Sequence, residues 1–188
     1  MELDESIVQL GEKLDAWCSG FFPILDSEDR AAQGKALLVG IEIQKKLDSL
    51  KAQGLAAITA LLNRRDAVTD DERASSLVRG FEFATKLADT LHEELLDMDG
   101  VNKVARLKNA IATELDAVGP GRVVLAALLD HHDARVRASA GAYLINRIPD
   151  RVLPILKEIE QGNYCNRAYF PAHWALLDWE LKHKERST

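Results

Sequence analysis

The segment Asp130-His131-His132-Asp133 concentrates imidazoles and carboxylates, donor types that suit zinc or iron. Four adjacent residues in one turn cannot all converge on an ion, and no His-x-x-x-His pair on a helix joins them. The expected role is a polar turn between helices that caps its neighbours, with no metal bound. A second grouping, Asp89, His92, Glu93 and Asp97, falls within about two helical turns. Groups of this kind build di-iron sites when several helices point them inward. Here Leu91 and Leu95 belong to the apolar stripe, which puts the charges on a solvated face. Cys165, in Asn163-Tyr164-Cys165-Asn166, lies near a helix start that can lower a thiol pKa, but no nucleophile signature surrounds it. A structural thiol is expected. Neither Gly-x-x-x-x-Gly-Lys-Ser/Thr nor Gly-x-Gly-x-x-Gly occurs, so no loop is built to cradle phosphate. The residues assemble no catalytic set and no cofactor site, and the chain reads as a non-enzyme.

The elements that must position these side chains are helical. Leu3, Ile7, Leu10, Leu14 and Trp17 form one apolar stripe before Pro23 interrupts it. A second helix is expected from about 28 to 52, capped by Ser27 and stopped by Gly54, with Gly34 and Gly40 as close contacts or a break. A short helix over 55–64 follows. Thr69-Asp70-Asp71-Glu72 reads as a capping box, Thr69 accepting from the Glu72 amide and the Glu72 carboxylate returning the bond. The stripe of Ala74, Leu77, Val78, Phe81, Ala84, Ala88, Leu91 and Leu95 carries that helix to about Met98, and Asp99-Gly100 ends it. Val101, Val104, Leu107, Ile111 and Leu115 mark the next. Shorter helices are expected at about 122–130, 133–146, 150–161 and 167–183. No β-branched or aromatic run alternates for long, so the class is all-α.

Of the 188 residues, 47 % are apolar and 29 % charged, enough to bury a core and remain in solution. No apolar run approaches the roughly 20 residues a membrane span needs. The acidic opening Met1-Glu2-Leu3-Asp4-Glu5 lacks the basic stretch of a signal peptide. Cys18 and Cys165 are too few for a disulfide scaffold. These features predict a cytoplasmic protein. Val118-Gly119-Pro120-Gly121 is the strongest punctuation, and it divides an acidic helical bundle, 1–118, from a second part, 119–188, unless the two form one continuous domain. The first part carries net charge −8 and the second +2, within a total of −6.

Residues 124–144 follow the pattern Val124-x-x-x-Leu128-Leu129-Asp130-x-x-Asp133-x-x-Val136-Arg137-x-x-Ala140-x-x-x-Leu144. This resembles a HEAT-type helical repeat, in which a first helix ends near an Asp and a second opens with Asp-x-x-Val-Arg. Asp133 would cap that second helix, Val136 and Leu144 would face the core, and Ala138, Ala140 and Ala142 would let neighbouring helices approach. The resemblance implies a packing role for Arg137. A second unit, 150–156 with 168–177, lacks the Asp-x-x-Val-Arg opening. The likeness covers about a third of the chain and implies an antiparallel bundle packed on a short repeat pair, serving as a scaffold or binding surface.

The functional expectation is a protein-binding module of the bacterial immunity or antitoxin kind. It would neutralise a cognate toxin by covering its active site, an acidic face meeting a basic partner. The candidate binding residues are Asp70, Asp71, Glu72, Glu93, Glu94 and Asp97, with Tyr169 and Trp174 as anchors, since Trp and Tyr bury large area at little entropic cost. The alternative is a nucleic-acid-binding protein or enzyme that uses Arg122, Arg135, Arg137, Arg147, Arg151 and Arg167, with Tyr169 and Trp174 for stacking. A net charge of −6 opposes attraction to phosphate. The first stripe, over 3–17, either buries in the bundle or pairs with a second copy, so the oligomeric state stays open.

Overall fold

The computed structural model describes residues 8, 9, 12, 30–64, 69–93, 97–118, 121–162 and 166–184. Among them the fold is all-helical. The elements are α1 (Arg30–Asn63), α2 (Asp70–Glu93), α3 (Met98–Ala117), α4 (Gly121–Ala127) with a 3-10 turn at Leu128–Asp130, α5 (Ala134–Leu144), α6 (Pro149–Gln161) and α7 (Asn166–Lys184). The expected stripe over 3–17, the Ser27 cap, and Cys18, Tyr164 and Cys165 lie outside the described residues.

Two compact units divide the chain. One comprises Met1–Ala67 with Arg79–Ile111, the other Val68–Val78 with Ala112–Thr188. In the first, Ile58 and Leu61 of α1, Phe81, Leu87 and Leu91 of α2, and Val104 and Ile111 of α3 are buried. Removing each such side chain from water contributes about 1.5–3 kcal/mol. Glycines let these helices close. A Cβ at Gly54 would stand 2.9 Å from Phe83 Cζ and 3.0 Å from Leu87 Cδ2, and one at Gly80 would drive into the Leu61 side chain. Gly54 therefore corrects an expectation: it does not stop a helix at 52. It lies inside the continuous α1, where its missing side chain makes room for α2. The packing gained outweighs the roughly 1 kcal/mol that glycine costs a helix interior.

The turn between α2 and α3 departs from the sequence reading in the same way. The apolar stripe runs on to Leu95, which suggested one helix to Met98. Instead Met98 opens α3, because Asp97 supplies an N-terminal cap: its Oδ1 accepts from the Gly100 N–H at 2.9 Å. The Asp97 N–H donates back to the Leu91 carbonyl at 2.9 Å. Asp99-Gly100 thus lies in the first turn of a helix rather than at the end of one.

In the second unit, α5, α6 and α7 pack pairwise. Their contacts are made by Val136, Ala138, Ala140 and Leu144, by Val152, Leu156 and Ile159, and by Ala168, Ala172 and Leu176, all buried. Asp133 caps α5 by accepting from the Arg135 N–H at 2.9 Å. Ala142, expected at a helix contact, is exposed. Its neighbour Gly141 makes the close approach, since a Cβ there would stand 2.7 Å from Leu156 Cδ2. Pro149 opens α6 at a position whose N–H would have no helical partner. The capping box forms as expected: the Thr69 N–H donates to Glu72 Oε2 at 3.1 Å, and the Glu72 N–H donates to Thr69 Oγ1 at 3.3 Å.

Candidate protein-binding surface

Helix α7 has two apolar faces. Ala168, Ala172 and Leu176 are at most 4 % exposed and supply the inner face. On the other side Phe170, Trp174, Leu177 and Leu181 are 48, 61, 36 and 55 % exposed. They recur at steps of four, three and four, and so form one row along the helix. The small residues of α7 face its neighbours, and the large ones do not. The aromatic residues Phe170 and Trp174 stand out in the sequence, whereas nothing there marks Leu177 and Leu181 as surface residues.

Neighbouring side chains hold this row in place. Tyr169 is half-buried, stacked on His173 at 5.4 Å between ring centroids and edge-on to Phe170 at 5.5 Å. His173 Nδ1 meets Glu160 Oε1 of α6 at 2.7 Å, which ties α7 to α6 beside the row. The Trp174 ring sits edge-on to His173 at 5.6 Å. Further along, Trp179 stacks on His183 at 4.1 Å, and Lys182 pairs with Asp178 one turn before it. The result is a row of large apolar groups rimmed by charge, the usual anatomy of an interface.

Asp70 and Asp71 are exposed on the first turn of α2, where their charge also favours the helix N-terminus. Glu72 spends its carboxylate on the capping box. Asp97, in the other unit, is held by the Lys51 ammonium and the Gly100 N–H. The Lys51 hydrogen bond, foremost, and then that from Gly100 lower the Asp97 pKa from its ordinary value. The Glu93 side chain and all of Glu94 lie outside what is described.

Four of the six arginines proposed for a nucleic-acid surface are engaged within the chain. Arg135 grips Asp133 through Nε at 3.0 Å and Nη2 at 2.6 Å. Arg137 Nη1 donates to the His131 and His132 carbonyls at 2.9 and 3.2 Å, a structural role that keeps the turn before α5 closed. Arg147 pairs with Asp116, and Arg151 Nη2 meets Asp130 Oδ2 at 2.7 Å. The side chains of Arg122 and Arg167 are not among those described. In the same turn His131 Nδ1 accepts from the Asp133 N–H at 3.0 Å. Among the described residues no three His, Cys, Asp or Glu side chains gather as a metal site requires.

The chain matches no known protein-family model, no characterised protein and no solved structure.

Two further groups bear on chemistry. Lys108 is half-buried, its Nζ 5.8 Å from the Phe81 ring centroid; loss of solvent around the ammonium pushes its pKa down, and the Asp89 charge opposes that shift. Burial raises the Tyr143 phenol to about 12, so it keeps its proton at neutral pH. No described helix is long and apolar enough to cross a membrane.

Proposed function

We propose that this chain is a non-enzymatic, cytoplasmic protein-binding module of the immunity or antitoxin kind, which silences a basic toxin by covering its active site. One observation carries the reading: the row Phe170, Trp174, Leu177 and Leu181, which is exposed and, among the described residues, takes no part in the core. Soluble chains rarely leave several large apolar side chains contiguous and exposed unless another surface covers them. Trp174 is the natural anchor, with Tyr169 stiffening the turn beneath it. Exposed Asp70 and Asp71 supply acid for steering a basic partner. The resemblance of residues 124–144 to a HEAT-type unit supports a binding rather than a catalytic role. The competing nucleic-acid reading is disfavoured by the intramolecular pairing of Arg135, Arg147 and Arg151.

The test is to co-express the chain with the product of the adjoining reading frame and to measure both capture and suppression of that product's toxicity. Trp174→Ser should weaken capture by tenfold or more, as for a hot-spot residue worth about 2 kcal/mol. Asp70→Lys with Asp71→Lys should slow association and flatten its salt dependence. Binding of a short DNA duplex in low salt, lost on Arg135→Glu and Arg151→Glu, would replace this reading with the nucleic-acid one.

A further inference from the structure

We propose that a second copy of this chain seats on the α7 row, the two α7 helices lying antiparallel about a two-fold axis. The inference rests on reading α7 as a docking surface and names its occupant.

The spacing is the first support. Steps of four, three and four read the same from either end of the helix. Antiparallel pairing about the midpoint therefore sets Phe170 against the partner's Leu181, and Trp174 against the partner's Leu177. The other two layers follow by symmetry. Each layer joins one aromatic and one leucine, so large meets small throughout, and the row follows the alternating register of a helix-pairing seam. A foreign partner places no such demand on the sequence, whereas a two-fold contact requires a self-complementary surface.

The flanking polar residues are the second support. His173 and Glu180 lie on the same flank of the row. Antiparallel pairing sets His173 across from the partner's Glu180, and the reverse pair forms at the other end. Parallel pairing would instead put the two copies of this flank on opposite sides of the seam, so that His173 and Glu180 would not meet. The antiparallel arrangement also runs the two helix dipoles in opposition, which is favourable.

Area sets the strength. From the exposures of its four residues, the row offers on the order of 400 Å² per copy, about half the per-partner area of a standard interface. Phe170, Trp174, Leu177 and Leu181 thus support a weak, concentration-dependent dimer rather than an obligate one.

Sedimentation velocity on the full chain, diluted from millimolar to micromolar, tests the pairing. The expected result is a dimer that dissociates over this range, with Trp174→Glu raising the dissociation constant about tenfold or more. The circular dichroism of Trp174→Glu should match the parent, since that side chain is 61 % exposed. A chain that stays monomeric throughout, or a dimer indifferent to Trp174→Glu, overturns the proposal.

Orientation has its own arm. Phe170→Cys and Leu181→Cys chains, each with Cys18 and Cys165 replaced by serine, are mixed and oxidised. Dominance of the mixed disulfide supports antiparallel pairing, and dominance of Phe170→Cys joined to itself overturns it. The sedimentation arm needs no serine background and stands if that background fails to fold. A monomer whose toxin capture is lost on Trp174→Glu removes the pairing and keeps the docking role. A dimer dissolved by Trp174→Glu without loss of toxin suppression keeps the pairing and removes the docking role.

Discussion

Asp97 shows how one carboxylate serves several ends. It caps α3, and Lys51 holds it from α1. Its folded pKa is lowered from 3.8, so its stabilising contribution is complete above that value and is lost as pH falls through the folded pKa. Asp97→Asn keeps a good cap and removes the charge, whereas Asp97→Ala removes both. At pH 7 we expect Asp97→Ala to lose about 1 kcal/mol more than Asp97→Asn. Below pH 4 the parent should weaken more steeply than either variant. Urea midpoints at pH 7, 5, 3 and 2 measure this, and parallel curves for all three proteins would show that the charge is idle. Gly121 makes a harsher case: a Cβ there would fall onto the Leu115 carbonyl, and backbone cannot step aside as a side chain can. Gly121→Ala should cost about 3 kcal/mol, at the upper end of overpacking effects, read as a lowered melting temperature.

At the scale of elements, the sequence was most legible where one local interaction decides the outcome. Thr69 and Glu72 announce the start of α2 because a capping box is complete within four residues. Thr69→Ala should accordingly cost about 1 kcal/mol, and a urea midpoint within error of the parent would discount the box. Asp133 announced α5 for the same reason. Legibility failed where a distant helix decides. Gly54 carries the same letter whether it ends a helix or admits Phe83, and only α2 distinguishes the two. Leu95 and Met98 extend a stripe that Asp97 cuts, since a periodicity of apolar residues records what can be buried and not where the backbone turns. In α7 both faces are apolar, so spacing alone could not say that Ala168 and Ala172 point inward while Trp174 points out. The exposed row was therefore half-visible in the sequence: its aromatic residues stood out, and its extent along the helix did not.

For the whole molecule, the division into units has a practical consequence. The second unit includes Val68–Val78 as well as Ala112–Thr188, and Ala74, Leu77 and Leu115 are among its buried residues. Within it Arg73 also faces Glu114 at 3.6 Å. A fragment spanning 119–188 omits all five. It should show no sharp thermal transition by circular dichroism, whereas the full chain should. A cooperative melt of that fragment would establish 119–188 as a domain in its own right.

The inverted build of α7, with slight residues inward and bulky ones outward, separates two kinds of selection. Because Ala168, Ala172 and Leu176 supply the buried face of the helix, Phe170, Trp174, Leu177 and Leu181 can be changed with little effect on the interior. The outward chemistry of this helix can thus change while its seat in the fold stays the same.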